Sequence, residues 1–307
     1  MAHFPSTSAF FSFLIFFSCD YCADGTRLFR GSSSGIVERL VFSHMDSKGH
    51  FRREFVARGG AAVHSMLAVG GAGCGIRGVT DALLVGDDDG TVRMFDFTKR
   101  EQEQGSRRDA GAGDGGSRGR CKVEVLWQVR LGVEEAPQHA QPSDAQAAPA
   151  DAITSLLLVP ELGQLVVASA AGPVVVLDPL TGRRLAALAV PDMEEEEPLG
   201  EPLSLAFERA SYQLLVSFQS GTVLAWKWGA WDMVSARAPA HTASAVNCIE
   251  SLDETRLVTA GDDGVLRLLC MHPPRVLAVL APHASDVKKL QVTSGVTSVW
   301  ENRENGY

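Results

Sequence analysis

The chain has 307 residues, 45% of them hydrophobic, and a formal net charge of −9 at pH 7. That acidic balance disfavours broad phosphate binding, which needs clustered Lys and Arg, and fits protein or basic partners. The six cysteines (Cys19, Cys22, Cys74, Cys121, Cys248 and Cys270) are too scattered for a disulfide framework and point to a reducing compartment.

Residues 1–19 form an apolar amino-terminal segment. Its uncharged run Phe10–Phe17 is too short to cross a bilayer as a helix. The length suits a signal-peptide core, yet no Lys or Arg precedes it. One reading is a secretory signal cleaved between Ser18 and Ala23; the other, favoured by the cysteine usage, is an incorrect start or a buried strand ahead of the repeats.

From about residue 20 one unit recurs: an apolar run, a small or polar turn ending in Gly, and a strand-like run. It reads LFRGSSSGIVERLVF from Leu28, with His50–Val56 as a further outer strand. The clearest copy is LLVGDDDGTVRMFD from Leu83, preceded by a strand over Val63–Val69. Asp-Gly between two such runs is a strong hairpin signal, because both turn residues tolerate positive φ. Residues 100–121 are polar and low in complexity, and are expected to be disordered. Val123–Leu131 returns to strand character, and 133–151 is a second polar insertion. Further copies are LVVASAAGPVVVLD from Leu165, LLVSFQSGTVLAWKW from Leu214 and RLVTAGDDGVLRLLC from Arg256; a last strand begins at Val287.

The turn glycines are Gly35, Gly90, Gly172, Gly221 and Gly264. Once the two insertions are discounted, the period approaches the ~40–45 residues of a four-stranded blade, the signature of a WD-repeat β-propeller. The expected organisation is therefore all-β: a propeller over 20–293 interrupted at 100–121 and 133–151, with a carboxy-terminal tail over 294–307.

Within that pattern, His64, His241 and His283 precede strand-like runs, while Asp89 and Asp263 occupy tight turns beside Gly90 and Gly264. A histidine bonded through strand residues to a turn aspartate would satisfy buried polar groups between strands. A catalytic role is not expected, because no Ser or Cys nucleophile context accompanies these residues. Arg93 and Arg267 each follow a turn glycine by three positions; they read either as solvated strand charges or, with Trp231, as a candidate interaction rim. Trp226 and Trp228 share a strand face and are expected to pack between blades, with an exposed aromatic patch as the sharper reading. Cys19-x-x-Cys22 lacks a second ligand pair for zinc, and Asp87-Asp88-Asp89 lacks the further oxygen ligands of a calcium loop, so no metal or cofactor is expected. Glu194–Glu197 reads as a solvated loop or a contact for a basic partner. Arg107, Arg108, Arg118 and Arg120 lie among acids with no stacking aromatics, which leaves direct RNA contact weakly supported.

The order of several motifs resembles the WD repeat-containing protein 55 family over roughly residues 22–99 and 153–293. The resemblance is carried by Trp228-Gly229-Ala230-Trp231-Asp232, Cys248-Ile249-Glu250, Gly261-Asp262-Asp263-Gly264-Val265-Leu266-Arg267, Pro274-Arg275-Val276, His283 and Asp286-Val287. Gly86–Gly90 and His64-Ser65-Met66-Leu67 resemble the family's early blades. The resemblance implies a seven-bladed, non-catalytic scaffold in the nucleolus, acting in ribosome biogenesis and ribosomal RNA processing with pre-ribosomal assembly factors as partners. It implies neither a membrane nor a small-molecule substrate. About five blades are visible here, so the ring is expected to be open and incomplete at both ends. The alternative is a generic WD-repeat adaptor, such as a ubiquitin-ligase substrate receptor, with a cytoplasmic location, or secretion if the signal reading holds.

Overall fold

The computed structural model describes residues 16–21, 27–41, 52–70, 76, 79, 81–97, 123–131, 151–171, 173–190, 198–283, 287–293 and 296–301. All regular structure among them is strand. Blade 1 is β1 (Phe16–Tyr21), β2 (Arg27–Ser32), β3 (Ile36–Val41) and β4 (Arg52–Arg58). Blade 2 is β5 (Val63–Gly70), β6 (Asp81–Asp87), β7 (Thr91–Asp96) and β8 (Glu124–Arg130). Blade 3 is β9 (Ile153–Val159), β10 (Gln164–Ser169), β11 (Val175–Leu177) and β12 (Arg184–Ala187). Blade 4 is β13 (Pro202–Glu208), β14 (Gln213–Phe218), β15 (Thr222–Lys227) and β16 (Val234–Pro239). Blade 5 is β17 (Val246–Ser251), β18 (Arg256–Gly261), β19 (Val265–Met271) and β20 (Pro274–Pro282), and a hairpin of β21 (Val287–Thr293) and β22 (Val296–Glu301) follows.

Each sheet is an antiparallel meander of consecutive strands, and among the described residues no sheet joins early strands to late ones. The first strands β1, β5, β9, β13, β17 and β21 lie side by side in chain order. This is the all-β architecture of a WD-repeat propeller, with its ring not closed among the described residues.

The core lies between blades, and the strand patterns follow from that. Every residue of β6 is buried. Leu83 and Val85 pack, with Val63 of their own blade, against Phe29 and Val37 of blade 1, while Ala82 and Leu84 face Ile153, Leu165 and Val167 of blade 3. A strand covered on both faces reads as a continuous apolar run, whereas outer strands such as β8 keep only Trp127 fully inside. The blades approach closely at two glycines. A Cβ on Gly31 would come within 2.3 Å of Val63, and one on Gly86 within 2.4 Å of Ile153. Polar groups also cross these junctions. Arg27 and Arg39 of blade 1 reach Asp81 of blade 2, the second at 3.8 Å; Arg39 also bonds Glu54 at 2.7 Å and lies 4.9 Å from the Phe97 ring centre.

Several boundaries move. The first sheet starts at Phe16, inside the segment assigned to residues 1–19, and β22 lies within the expected tail over 294–307. Asp151, assigned to the second insertion, is buried and belongs to blade 3: its carboxylate accepts the Ala171 N–H at 2.7 Å. The expected insertion 100–121 lies outside the described residues, as does the rest of 133–151. The turn chemistry is also corrected. Only the glycines carry positive φ, with Gly90 at 78° and Gly264 at 68°; Asp89 and Asp263 do not. Each turn is closed by the Gly N–H on the carbonyl three residues earlier, Gly90 to Asp87 at 3.3 Å and Gly264 to Gly261 at 3.1 Å. This is the longer hairpin loop with one left-handed glycine, not the two-residue turn that needs positive φ twice. The aspartates act differently, each accepting the N–H two residues on: Thr91 at 3.2 Å and Val265 at 3.0 Å.

Candidate functional site

The densest polar arrangement sits where β16 of blade 4 hands over to β17 of blade 5. The His241 N–H donates to Gly221 C=O at 2.9 Å, which fixes the backbone at the end of blade 4. Its imidazole turns into blade 5 and is 2% exposed. Nδ1 lies 3.0 Å from Asp263 Oδ1, and Nε2 lies 3.1 Å from Thr259 Oγ1. A neutral imidazole satisfies both contacts by donating from Nδ1 to the carboxylate and accepting the threonine hydroxyl at Nε2. Arg267 donates to Asp263 Oδ2 at 2.5 Å and also touches the imidazole edge.

The electrostatics fit that protonation state. Burial lowers the His241 pKa below 6.5; Asp263 opposes the shift, and the Arg267 charge adds to it. Burial pushes the Asp263 carboxyl upward, but the bonds from Arg267, His241 and the Val265 N–H outweigh it and hold the group below the usual carboxylate range. His241 and Thr259, both buried, and the partly exposed Asp263 thus form a strap between two blades. Thr259 was not singled out from the sequence. Its signal was available: it precedes Gly261 by two residues and is opposite Arg267 in the β18–β19 register.

The second expected pair is not brought together. His64 is exposed, and among the described residues it makes no hydrogen bond to Asp89. The reason is spacing. His241 stands five residues before the first residue of β17, but His64 is the second residue of β5. Its counterpart in blade 5 is Asn247, whose side-chain amide donates to Asp262 at 2.6 Å. By the backbone bond to the turn glycine, the counterpart of His241 ahead of blade 2 is Gly59, whose N–H donates to Gly35 C=O at 2.7 Å and which has no side chain to reach the turn. His283 repeats the His241 backbone pattern, donating its N–H to Gly264 C=O at 2.6 Å.

The arginines do not form an open rim. Arg93 is buried and pairs with Asp87, so it is neither a solvated strand charge nor part of an exposed rim. Burial pushes the Asp87 carboxyl up to about 6; Arg93 pulls it down, and Asp89 and Asp88 push it further up. Arg267 is committed to Asp263. Trp226 is fully buried with its indole N–H on Ala189 C=O at 3.3 Å, and Trp228 donates to Gln164 Oε1 at 3.1 Å, so both pack between blades 3 and 4. Trp231 is half-buried against Trp228, with ring centres 5.0 Å apart. Cys22, Gly172, Glu194–Glu197 and the arginines of the first insertion lie outside the described residues, as does the side chain of Cys19. Among the described residues no three His, Cys, Asp or Glu side chains are grouped to hold a metal ion.

No family model matches the chain. WD repeat-containing protein 55 of Arabidopsis thaliana is 27% identical over 93 residues, which is 30% of this chain and 26% of that protein. WD repeat-containing protein JIP5 of Mycosarcoma maydis is 34% identical over 92 residues, covering 29% of this chain and 18% of that protein. The aligned stretch therefore spans about a quarter or less of the curated relatives it matches. Among solved structures, the crystal structure of the computationally designed Ika8 protein superposes with a TM-score of 0.57 at 16% identity, over 93% of this chain and 70% of that one. At that identity the likeness concerns fold alone. Over these stretches the chain is similar to WD-repeat proteins, and its strands form the four-stranded antiparallel blades of a β-propeller.

Proposed function

We propose that this WD-repeat propeller chain is a non-catalytic scaffold that works through protein–protein contacts in nucleolar ribosome biogenesis. The observation that carries the scaffold reading is the use of its polar residues. His241, Thr259, Asp263, Asp87, Arg93 and Asp151 are all spent on bonds within or between blades. Such bonds fix a rigid frame and leave turns and outer strands as the free surface, which is what a docking platform requires. The ribosomal role rests on the similarity to WD repeat-containing protein 55 and on the motif order in blades 4 and 5.

The test is sedimentation of the tagged chain from cells, together with its depletion. Co-sedimentation with pre-ribosomal particles and accumulation of ribosomal RNA precursors on depletion are expected. Sedimentation apart from those particles with precursor levels unchanged would overturn the ribosomal role.

A further inference from the structure

Glu208, the last residue of β13, is 0% exposed, and among the described residues no lysine or arginine pairs with it. The other two most deeply buried carboxylates have cations: Asp81 pairs with Arg27, and Asp87 with Arg93. Arg209, next to Glu208 in the chain, turns away to Glu161 of blade 3 at 2.7 Å. The basic group that does reach Glu208 is His272, from the turn between β19 and β20 of blade 5. Burying a carboxylate without a full counter-charge is costly.

Other polar atoms converge on the same place. The Ser211 hydroxyl, in the β13–β14 turn, donates to Glu208 Oε2. His272 Nε2 lies 3.1 Å from that oxygen and 3.0 Å from Ser211 Oγ. Gln213, the first residue of β14, stands directly opposite Glu208 in the strand register and is 7% exposed. Directly opposed residues share a face of the sheet, with Cβ atoms about 4.5–5.5 Å apart. The second carboxylate oxygen, Glu208 Oε1, and the amide oxygen, Gln213 Oε1, are both buried without a hydrogen-bond partner. Unmet acceptors thus stand beside a charge that no fixed cation balances. The way in is from the rim, where the His272 side chain is 46% exposed and Ser211 is half-buried.

We propose that Glu208, Ser211, Gln213 and His272 form a binding site for a divalent transition-metal ion, with zinc the best fit. A metal ion brings positive charge and accepts lone pairs from oxygen and nitrogen alike, which is what this group has to offer. A partner's lysine or arginine would need room for its stem, and the two unmet oxygens lie out of reach of solvent. The imidazole selects the metal. An all-oxygen set suits magnesium or calcium, whereas mixed nitrogen and oxygen suit zinc, cobalt or nickel. Ligands ~2.0–2.1 Å from a tetrahedral zinc stand roughly 3.3–3.4 Å apart, so Nε2 is within about half an ångström of ligand spacing from both of its oxygens. With one carboxylate and one imidazole, the group falls short of three His, Cys, Asp or Glu side chains; a hydroxyl and an amide oxygen complete it. In the bound state the neutral ring carries its proton on Nδ1 and offers Nε2, Ser211 binds as the neutral hydroxyl, and Glu208 supplies the negative charge. The ion pins the β13–β14 turn of blade 4 to the β19–β20 turn of blade 5. The His241 strap joins the same blades at the opposite end of β19, beside the β18–β19 turn. The site stands whether or not the ribosomal reading does.

The experiment uses the purified full chain, stripped with a chelator and titrated with Co²⁺ or Zn²⁺ alone. Saturable Co²⁺ binding with visible d–d absorption is expected, and excess Zn²⁺ should raise the thermal midpoint by mass action. His272→Ala alters an exposed side chain and should weaken binding more than about 10-fold, the scale on which even outer partners of metal ligands act. Glu208→Gln keeps the shape and removes the charge. Free of metal it should melt no lower than wild type, because the buried carboxylate then lacks its cation, and Zn²⁺ should no longer raise its midpoint. His64→Ala, at an exposed histidine outside the group, should bind as wild type does. A wild-type midpoint that Zn²⁺ leaves unmoved, or Co²⁺ binding equal in wild type, His272→Ala and Glu208→Gln, would overturn the proposal. A thiolate-to-cobalt charge-transfer band retained in full by both variants would overturn it in favour of the cysteines.

Discussion

Blades 2 and 5 carry nearly the same turn, Asp87-Asp88-Asp89-Gly90 and Gly261-Asp262-Asp263-Gly264, each followed three residues later by an arginine. They stabilise it in opposite ways. In blade 5 the arginine and a histidine from the preceding blade converge on the turn aspartate, Asp263. In blade 2 the arginine turns instead to Asp87, at the end of β6. The register explains the choice. Asp87 occupies the position of Gly261, and a Cβ on Gly261 would lie 2.6 Å from His241 Nδ1. A side chain there and an imidazole claim the same space. Blade 5 has glycine plus histidine, blade 2 has aspartate and no histidine, and Val85 replaces the hydroxyl of Thr259. Similar turn sequences thus conceal two polar networks, one bridging blades and one closed within its own sheet.

The largest expected effect breaks the closed network. Arg93→Ala leaves Asp87 buried without its cation, and removing one partner of a buried pair costs about 3–5 kcal/mol. Chemical denaturation at two pH values gives the sign. The folded-state pKa of Asp87 is pushed up to about 6 from 3.8. Its contribution to stability is therefore full below pH 3.8 and is lost as pH rises through about 6. Without Arg93 that loss extends upward, so the variant should be weakened more at pH 8 than at pH 5. Equal destabilisation at both would mean that Arg93 acts through packing against Phe95, whose ring centre is 5.9 Å away.

His241→Ala tests the bridging network and should cost about 2–3 kcal/mol, because the buried Thr259 hydroxyl and the Asp263 carboxylate lose their shared partner. The pH dependence runs the other way. A histidine held below its ordinary pKa of 6.5 contributes fully above that value, and the contribution is lost as pH falls through the folded-state value. Acidification from pH 7 to pH 5 should therefore weaken the blade 4–5 junction while easing the burial of Asp87. The isosteric His241→Gln should flatten the acid side of the stability profile, and a profile unchanged from wild type would exclude His241 as its source.

The space argument gives the next prediction. Gly261→Ala places a methyl group 2.6 Å from both His241 Nδ1 and the Ala245 carbonyl. Overpacking of this kind costs about 1–3 kcal/mol. Combining it with His241→Ala should cost less than the two single effects added, because the second substitution removes one of the two clashes. Strict additivity of the pair in urea unfolding would show that the imidazole and the position 261 side chain do not compete.

The sequence made the blades legible and the networks only half so. Apolar runs, turn glycines and the period are repeated signals, and each blade reports the same thing independently. That is why β6, β14 and β18 fall where the runs through Leu83, Leu214 and Leu257 place them. The histidine pairing is a three-dimensional match with a strict offset. His241 and His64 both stand near the start of a first strand, but only the one five residues ahead can reach the turn of its blade. The two-residue hairpin expectation failed for a related reason: Asp-Gly is compatible with two loop lengths, and the left-handed φ at glycine alone selects the longer one. The ring contacts around Trp228 were legible only at Trp228 and Trp231, since Phe207 and Tyr212 join them across a turn that strand periodicity does not describe.

Arg267→Ala should have the smallest effect, although register makes it the counterpart of Arg93. Arg93 pairs with Val85 and Arg267 with Thr259 at matching places in the two sheets. What differs is solvent. The Arg93–Asp87 side chains are 11% and 3% exposed, and those of Arg267 and Asp263 are 20% and 25% exposed. Water screens the second pair, and Asp263 keeps the His241 and Val265 donors when Arg267 is removed. A partly solvated pair of this kind contributes about 0–1 kcal/mol. Arg267→Ala should therefore shift the denaturation midpoint by a small fraction of what Arg93→Ala does. It should also bring the His241 pKa back toward 6.5, since the arginine charge is one of the causes holding it down. An NMR titration of the His241 ring protons in both proteins checks that second outcome. A pKa that stays where it was would mean that burial alone keeps the imidazole neutral, and that the blade 5 arginine acts only on the carboxylate.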